Sequence, residues 1–252
     1  QAVDDAVANR WFRHPELSQL LASAGVLPMF GFPTRVRPLY GKPVRTRREL
    51  EEAVVTDRPI DMAISQFSPG GEVVKDGQIH VVAGFADYEV RGTRVVAVDP
   101  LGEPHQLVRC ERCEATTLAD GEVSFDERCS VCGGETRVTS AYEPGGFRTT
   151  YSPRSYDDLA EPAARVSLPQ LAMNVEATSW RHLGGVTLGV CHQAEVVRIN
   201  DNRGRGYEAA TQKDGTVVVP DRRLYSAPGR APADPGGDRR TGALAGVRPT
   251  DV

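Results

Sequence analysis

The sequence predicts an α+β fold that is mostly β, and three observations carry the prediction. The opening stretch has helical periodicity, and most of the remaining chain alternates β-branched runs with Asp-Gly, Pro-Gly and Gly-Gly breaks. Two C-x-x-C pairs, Cys110/Cys113 and Cys129/Cys132, stand fifteen residues apart in a chain with one further cysteine, Cys191. With 252 residues, 40% hydrophobic and 25% charged, the chain can bury one generous core or two small ones. No apolar run approaches the ~20 residues that span a bilayer, and the opening QAVDDAVANRWF fits neither a signal peptide nor a transit peptide. The expectation is a cytoplasmic protein with no membrane partner. A start at Gln1 rather than Met, directly in helix-like sequence, suggests a piece of something longer.

Residues 1–25 read as an N-terminal helical segment: VDDAVANRWF, then HPELSQLLASAG with Pro15 near a helix start and Gly25 as its stop. Trp11, Leu17, Leu20 and Leu21 form its apolar stripe. Residues 26–225 read as one β-rich domain. Alternation over Thr34 to Arg37 turns Val36 one way and Arg35 and Arg37 the other. EVVKDGQIHVVAGF is a hairpin with Asp76-Gly77 at its turn. RGTRVVAVD and EPHQLVRC are strands, the second running into the first cysteine pair. ATTLADGEVSF between the pairs reads as a short hairpin turning at Asp120-Gly121. RVTSAYEPGGFRTTYSPRSYDDLAEPAARVSLPQ reads as an extended, poorly periodic connection. GGVTLGVCHQAEVVRIN, YEAATQKDGTVVVPD and RRLYS supply closing strands. Residues 226–252 have almost no large apolar side chains and read as a disordered tail or linker.

The cysteine spacing points to zinc, in a ribbon over residues 108–138. A C-x-x-C turn aims two sulfurs at one point while its amides relieve their charge, and two such turns complete a tetrahedron. Cys110, Cys113, Cys129 and Cys132 are the expected ligands. Gly133 and Gly134 let the chain leave the metal in a conformation closed to bulkier residues. Disulfides need an oxidising compartment and leave Cys191 over, and a redox pair would appear once, at a helix start. Four thiolates leave no open position for water, so the metal is structural.

The net charge of −4 argues against a wholesale nucleic-acid coat and confines any such contact to local patches. From Arg35 to Arg48 lie six basic residues, Arg35, Arg37, Lys42, Arg45, Arg47 and Arg48, and no acid. They read either as a phosphate-facing strip or as a solvated segment balanced by Glu49, Glu51 and Glu52. The turn-rich INDNRGRGYE has the same two readings. Asn200, Asp201 and Asn202 with Gly204 and Gly206 make a tight turn; alternatively Arg198, Arg203 and Arg205 face phosphate while the Asn200 and Asn202 amides touch base or sugar. His182 and His192 lack a metal partner at useful spacing, and Cys191 reads as a small buried hydrophobe. Trp180 and Tyr207 are core residues or base-stacking platforms. No nucleophile–base constellation and no G-x-x-x-x-G-K-S/T phosphate loop occurs, which predicts no catalysis and no ATP hydrolysis by this chain alone.

Several stretches in order, FGFPTRVRPLY, AISQFSPGGEVVKDGQIHVVAGF, the C-x-x-C pairs, GGFRTTYSPR and EVVRINDNRGRGYE, resemble the zinc-binding C-terminal domain of MrfA-type DNA repair helicases. They are most similar to its relatives in the DISARM bacterial phage-defence system, the DrmB-type subunits. The resemblance spans roughly residues 18–225. It implies a module attached to an upstream motor domain or assembled with a helicase or translocase subunit, with DNA in the assembly, in antiphage defence or repair. It also implies that the four cysteines are the family's zinc ligands. A purely structural protein–protein interaction module is the competing expectation.

Overall fold

A computed structural model describes residues 36–120, 128–129, 131–156, 169–171, 179–190, 195–221, 224 and 238–249. The N-terminal helical segment, Trp11, Arg35, Cys191, His192 and the Asp120-Gly121 turn beyond its first residue lie outside them. Strands account for 52% of the structure and helices for 10%, so the mostly β expectation holds. Among the described residues no helix is long and apolar enough to cross a membrane.

The chain begins with β1 (Val36–Tyr40), α1 (Arg47–Ala53), β2 (Val54–Pro59) and α2 (Ile60–Gln66). Helix α1 starts with a capping box. The Glu49 amide donates to Thr46 Oγ1 at 3.3 Å, and the Thr46 amide donates to Glu49 Oε2 at 3.1 Å. Strands β3 (Glu72–Lys75) and β4 (Gln78–Phe85) form the expected hairpin, with Asp76 and Gly77 at φ 50° and 70°. Two positive-φ residues at the turn match the right-handed twist of the strands, which is why Asp-Gly marks such hairpins. Among the described residues, strands β5 (Asp87–Arg91) and β6 (Arg94–Val98) pair only with each other.

The remaining strands are β7 (His105–Cys110), β8 (Thr116–Asp120), β9 (Thr136–Tyr142), β10 (Phe147–Thr149), β11 (Arg154–Ser155), β12 (Pro169–Leu171), β13 (Ser179–Leu183), β14 (Val186–Val190), β15 (Glu195–Asn200), β16 (Tyr207–Thr211), β17 (Val217–Val218) and β18 (Arg239–Pro249). One long sheet runs β2-β1-β10-β4-β17-β16-β18-β9-β7-β8, with β3 and β11 on β4, and β12 reaching β18 through β15. It is antiparallel except where β1 meets β10 and β18 meets β9.

Two segments depart from the sequence expectations. The connection after the second cysteine pair contributes most of β9, all of β10 and β11, and the first two residues of β12. Its central piece, GGFRTT, wedges β10 between β1 and β4 and buries Phe147 completely, against Phe85 and Phe67 with ring centroids 5.6 Å apart in each case. A three-residue strand between Gly146 and Thr150 is too short to show periodicity. The expected tail is the larger correction, because residues 239–249 form an eleven-residue strand inside the sheet.

The reason is burial on both faces. Leu244 joins the core built on Phe67, Phe85, Phe147 and Ile64, whereas Ala243 and Ala245 join a second core with Leu107, Leu118, Ala141, Val197 and Ile199. A strand pinched between two cores is built from small residues, and composition then imitates a linker. At Gly242 a Cβ would lie 2.6 Å from the Ser140 carbonyl oxygen and 2.7 Å from the Tyr142 ring, so nothing larger fits.

Candidate metal centre and the basic segments

The cysteine pairs are turns of hairpins. Strands β7 and β8 are antiparallel, with Leu107 opposite Leu118, and the chain reverses between them at Cys110–Cys113. The hairpin turn expected at Asp120-Gly121 lies, beyond Asp120, outside the described residues. The second pair reverses the chain between Arg128 and Glu135, which form an isolated antiparallel bridge, and leads into β9. Strand β9 lies on the other side of β7, with Cys110 opposite Thr136.

The two turns share one hydrogen-bond plan. In the first, the Cys110 amide donates to Ala115 O at 2.9 Å and the Glu114 amide to Cys110 O at 3.1 Å; in the second, Cys129 donates to Gly134 O and Gly133 to Cys129 O, both at 2.8 Å. The residue after each second cysteine is left-handed, Glu114 at φ 60° and Gly133 at φ 69°. Amides also point at the sulfurs: Arg112 and Cys113 donate to Cys110 Sγ at 3.3 and 3.5 Å, and Val131 donates to Cys129 Sγ at 3.4 Å.

All four sulfurs lie within 4.8 Å of one another, with Cys110–Cys132 at 3.5 Å and Cys113–Cys129 at 3.6 Å. Disulfide sulfurs sit ~2.05 Å apart, so these are free thiols. A tetrahedron with ~2.3 Å metal–sulfur bonds has edges of ~3.8 Å, and the cluster has that size. The thiols do not titrate alike. Amides of Cys113 and Arg112, opposed by burial and aided by Cys132, bring Cys110 down to about 6. The Ala115 amide pulls Cys113 the same way, but the sulfurs of Cys132, Cys110 and Cys129 together with burial push it up to about 12. Four thiolates this close need a cation between them. The geometry is compatible with a metal site closed on all four corners.

The basic strip disperses. Arg37 turns inward: its Nε donates to Pro144 O at 2.6 Å and its Nη2 to Glu143 Oε1 at 2.8 Å, with both side chains 15% exposed. Lys42 and Arg48 both pair with Glu52, at 3.0 and 2.8 Å. Glu49, also in the balancing acid set, is occupied by the α1 cap and accepts from the Arg45 amide at 2.8 Å. Arg45 and Arg47 are exposed, and their side chains make no ion pair among the described residues.

The Asn-Asp-Asn loop is a structural turn in its first half. Asn200 is buried; its Nδ2 donates to Ile64 O at 2.7 Å, and its Oδ1 accepts from the Tyr207 hydroxyl at 3.0 Å and the Asn202 amide at 3.2 Å. That side chain ties the end of α2 to the β15–β16 turn. Tyr207 is accordingly a core residue. Asn202, at φ 52°, closes the loop by donating to Gly206 O at 3.0 Å. Arg198 lies 3.8 Å from Asp61. Arg203 and Arg205 are exposed.

Beside the metal cluster the sheet forms a groove of about 540 Å³, with β7, β9 and β18 as floor and the 201–206 loop as wall. Arg109 and Arg137, which sequence reasoning passed over, face each other across β7 and β9 and both line it. No local signal marks them, because their pairing is a register between β7 and β9, strands that neither cysteine turn joins to each other. No family model, curated protein or solved structure matches the chain.

Proposed function

We propose that the chain is a zinc-binding accessory module of a DNA helicase or translocase complex, of the kind found in DISARM-type bacterial antiphage defence, where it supports DNA engagement. The observation that carries this reading is the four-sulfur cluster closed by two matching hairpin turns. Zinc suits four thiolates in a tetrahedron, and with no corner left for water its part is to hold the ribbon. The helicase setting rests on the sequence resemblance alone. Cys110, Cys113, Cys129 and Cys132 hold the metal; the motor, upstream in the same chain or in a partner, hydrolyses ATP.

Zinc content and DNA binding test it together. Purified protein is expected to contain one zinc per chain, to lose it on Cys129→Ser, and to bind DNA with an affinity that falls steeply with salt. Metal-free folded protein would remove the zinc ribbon, and no DNA binding at low salt would remove the DNA role. The second outcome leaves a protein–protein interaction module. The carboxylates of Glu143, beside Arg37, and of Glu52, shared by Lys42 and Arg48, offset two of these three positive charges, which favours that alternative.

A further inference from the structure

Arg109 and Arg137 are in register on neighbouring antiparallel strands. Like charges directly opposite one another destabilise a sheet, so such a pair persists where something else compensates it. Arg109 has compensation: its Nη2 lies 3.2 Å from Glu114 Oε1 and its Nη1 3.4 Å from Asp201 Oδ2. Those contacts fix its guanidinium between the first cysteine turn and the 201–206 loop. Arg137 is exposed, with no ion-pair partner among the described residues. Arg205 lines the opposite wall, exposed and likewise without an ion pair there. Between them the floor carries Leu107, Gly242 and Ala243, an apolar strip.

We propose that this groove binds a nucleoside phosphate, with Arg137 and Arg205 taking the phosphate and the Leu107–Ala243 floor taking the sugar or base. The proposal rests on the DNA-engaging function and gives that function a place, so the phosphate belongs to a link in a nucleic-acid strand. A cavity of about 540 Å³ is within the ~300–1,000 Å³ range of small-molecule sites. Arg109 acts as a positioning residue. Glu111, at the rim of the same groove, opposes an anion. Its removal should tighten binding. The metal cluster competes for the same positive charge, because four thiolates around a divalent cation carry a net negative charge and Cys110 also lines the groove.

The test uses the zinc-loaded chain and a fluorescent mixed-sequence single-stranded oligonucleotide, titrated at several salt concentrations. Arg137→Ala/Arg205→Ala is compared with Arg45→Ala/Arg47→Ala and with Glu111→Gln. The groove pair should weaken binding about tenfold or more and lower the log–log salt slope by ~0.7 for each phosphate no longer neutralised. Glu111→Gln should strengthen it, and zinc release to a chelator should keep its wild-type rate in all variants. A mononucleotide competing as well as the oligonucleotide, nucleotide for nucleotide, would reassign the site to a free nucleotide and overturn the strand. If the oligonucleotide binds and only the Arg45/Arg47 pair matters, the groove proposal falls while the DNA role stands. If the wild type binds no oligonucleotide, both fall. Faster zinc loss from the groove variant with unchanged DNA binding would assign the arginines to the metal cluster instead.

Discussion

Between Cys110 and Cys132 the chain brings four sulfurs within 4.8 Å of one another; between Arg37 and Arg48 it sends Arg37 inward to Glu143, Lys42 and Arg48 to Glu52, and Arg45 and Arg47 to solvent. Both stretches are dense in residues that carry chemistry. They differ in what sets the fate of each side chain. A C-x-x-C turn is closed by hydrogen bonds within six residues, so its sulfurs converge wherever the turn forms. An arginine side chain goes to whichever carboxylate the fold delivers, and for Arg37 that carboxylate is 106 residues away. Within each turn convergence is local, the two turns then meet across 16 and 22 residues, and dispersal in the second case is set by topology over a far longer span.

The largest effect should come from breaking the local device. Cys129→Ser removes one corner of the cluster and should abolish stoichiometric metal binding and lower the thermal midpoint by about 5 °C or more. Amide exchange should accelerate across β8 and β9 while β1, β4 and β10 keep their protection. Chelation of the wild type should reproduce the pattern. A variant that melts with the wild type and still holds one metal would mean that three sulfurs suffice.

Next comes the arginine that dispersal carried inward. Arg37→Ala takes its 2.8 Å ion-pair partner from the mostly buried Glu143, and truncating one side of a buried pair costs several kcal/mol, here about 2–4 because both side chains keep some water contact. The cost should depend on pH with a definite sign. Asp87 is raised by burial, against lowering by the Tyr88 amide and by nearby Arg37. Without Arg37 it rises further. A carboxyl raised in the fold is penalised once it must ionise, so the deficit of the variant grows as pH rises through the carboxylate range and shrinks as pH falls below it. Denaturant melts at pH 4 and pH 7 measure it. A flat deficit would detach Arg37 from the acids around it.

The matching turns give a finer contrast within the ribbon. Gly133→Ala places a Cβ at φ 69° and should cost about 1 kcal/mol. Glu114→Gly at the equivalent position relieves the same strain but gives up the half-exposed ion pair with Arg109, so the two should nearly cancel. Opposite signs, or a near-zero second value, are read from urea melts of metal-loaded protein. Equal losses from both would show that the shared hydrogen-bond plan does not bring shared energetics.

Legibility in the sequence divides along the same line. The β3–β4 turn, the mostly β content and the sulfur cluster are short-range patterns, and each reads directly from spacing or alternation. Strand β18 did not, because a strand buried on both faces against Tyr142, Ile60 and two cores must be small-sided, and GALAG then has the composition of a linker. Phe147 in a three-residue strand gave no period to detect. Asn200 was marked as a turn residue or a base contact; its burial and its bond to Ile64 O depend on a helix 136 residues earlier. Arg109 and Arg137 became visible only through the β7–β9 register.

The smallest expected effect lies at the exposed end of the strip, and it sharpens the comparison by contrast with Arg37. Arg48 pairs with Glu52 at 2.8 Å, one turn along α1, with side-chain exposures of 88% and 46%. Hydrogen bonds from Arg48 and then Lys42 lower the Glu52 carboxyl, but its surroundings are water. Lys42 stays at 3.0 Å when Arg48 is removed, so the carboxylate keeps a partner. Holding two long side chains in one geometry costs entropy that offsets most of the attraction, and salt screens the rest. Arg48→Ala should therefore shift the melting midpoint by no more than about 1 °C, and by less at high salt. A shift comparable to that of Arg37→Ala would mean that the strip acts as one network, and its dispersal into separate pairs would have to be given up.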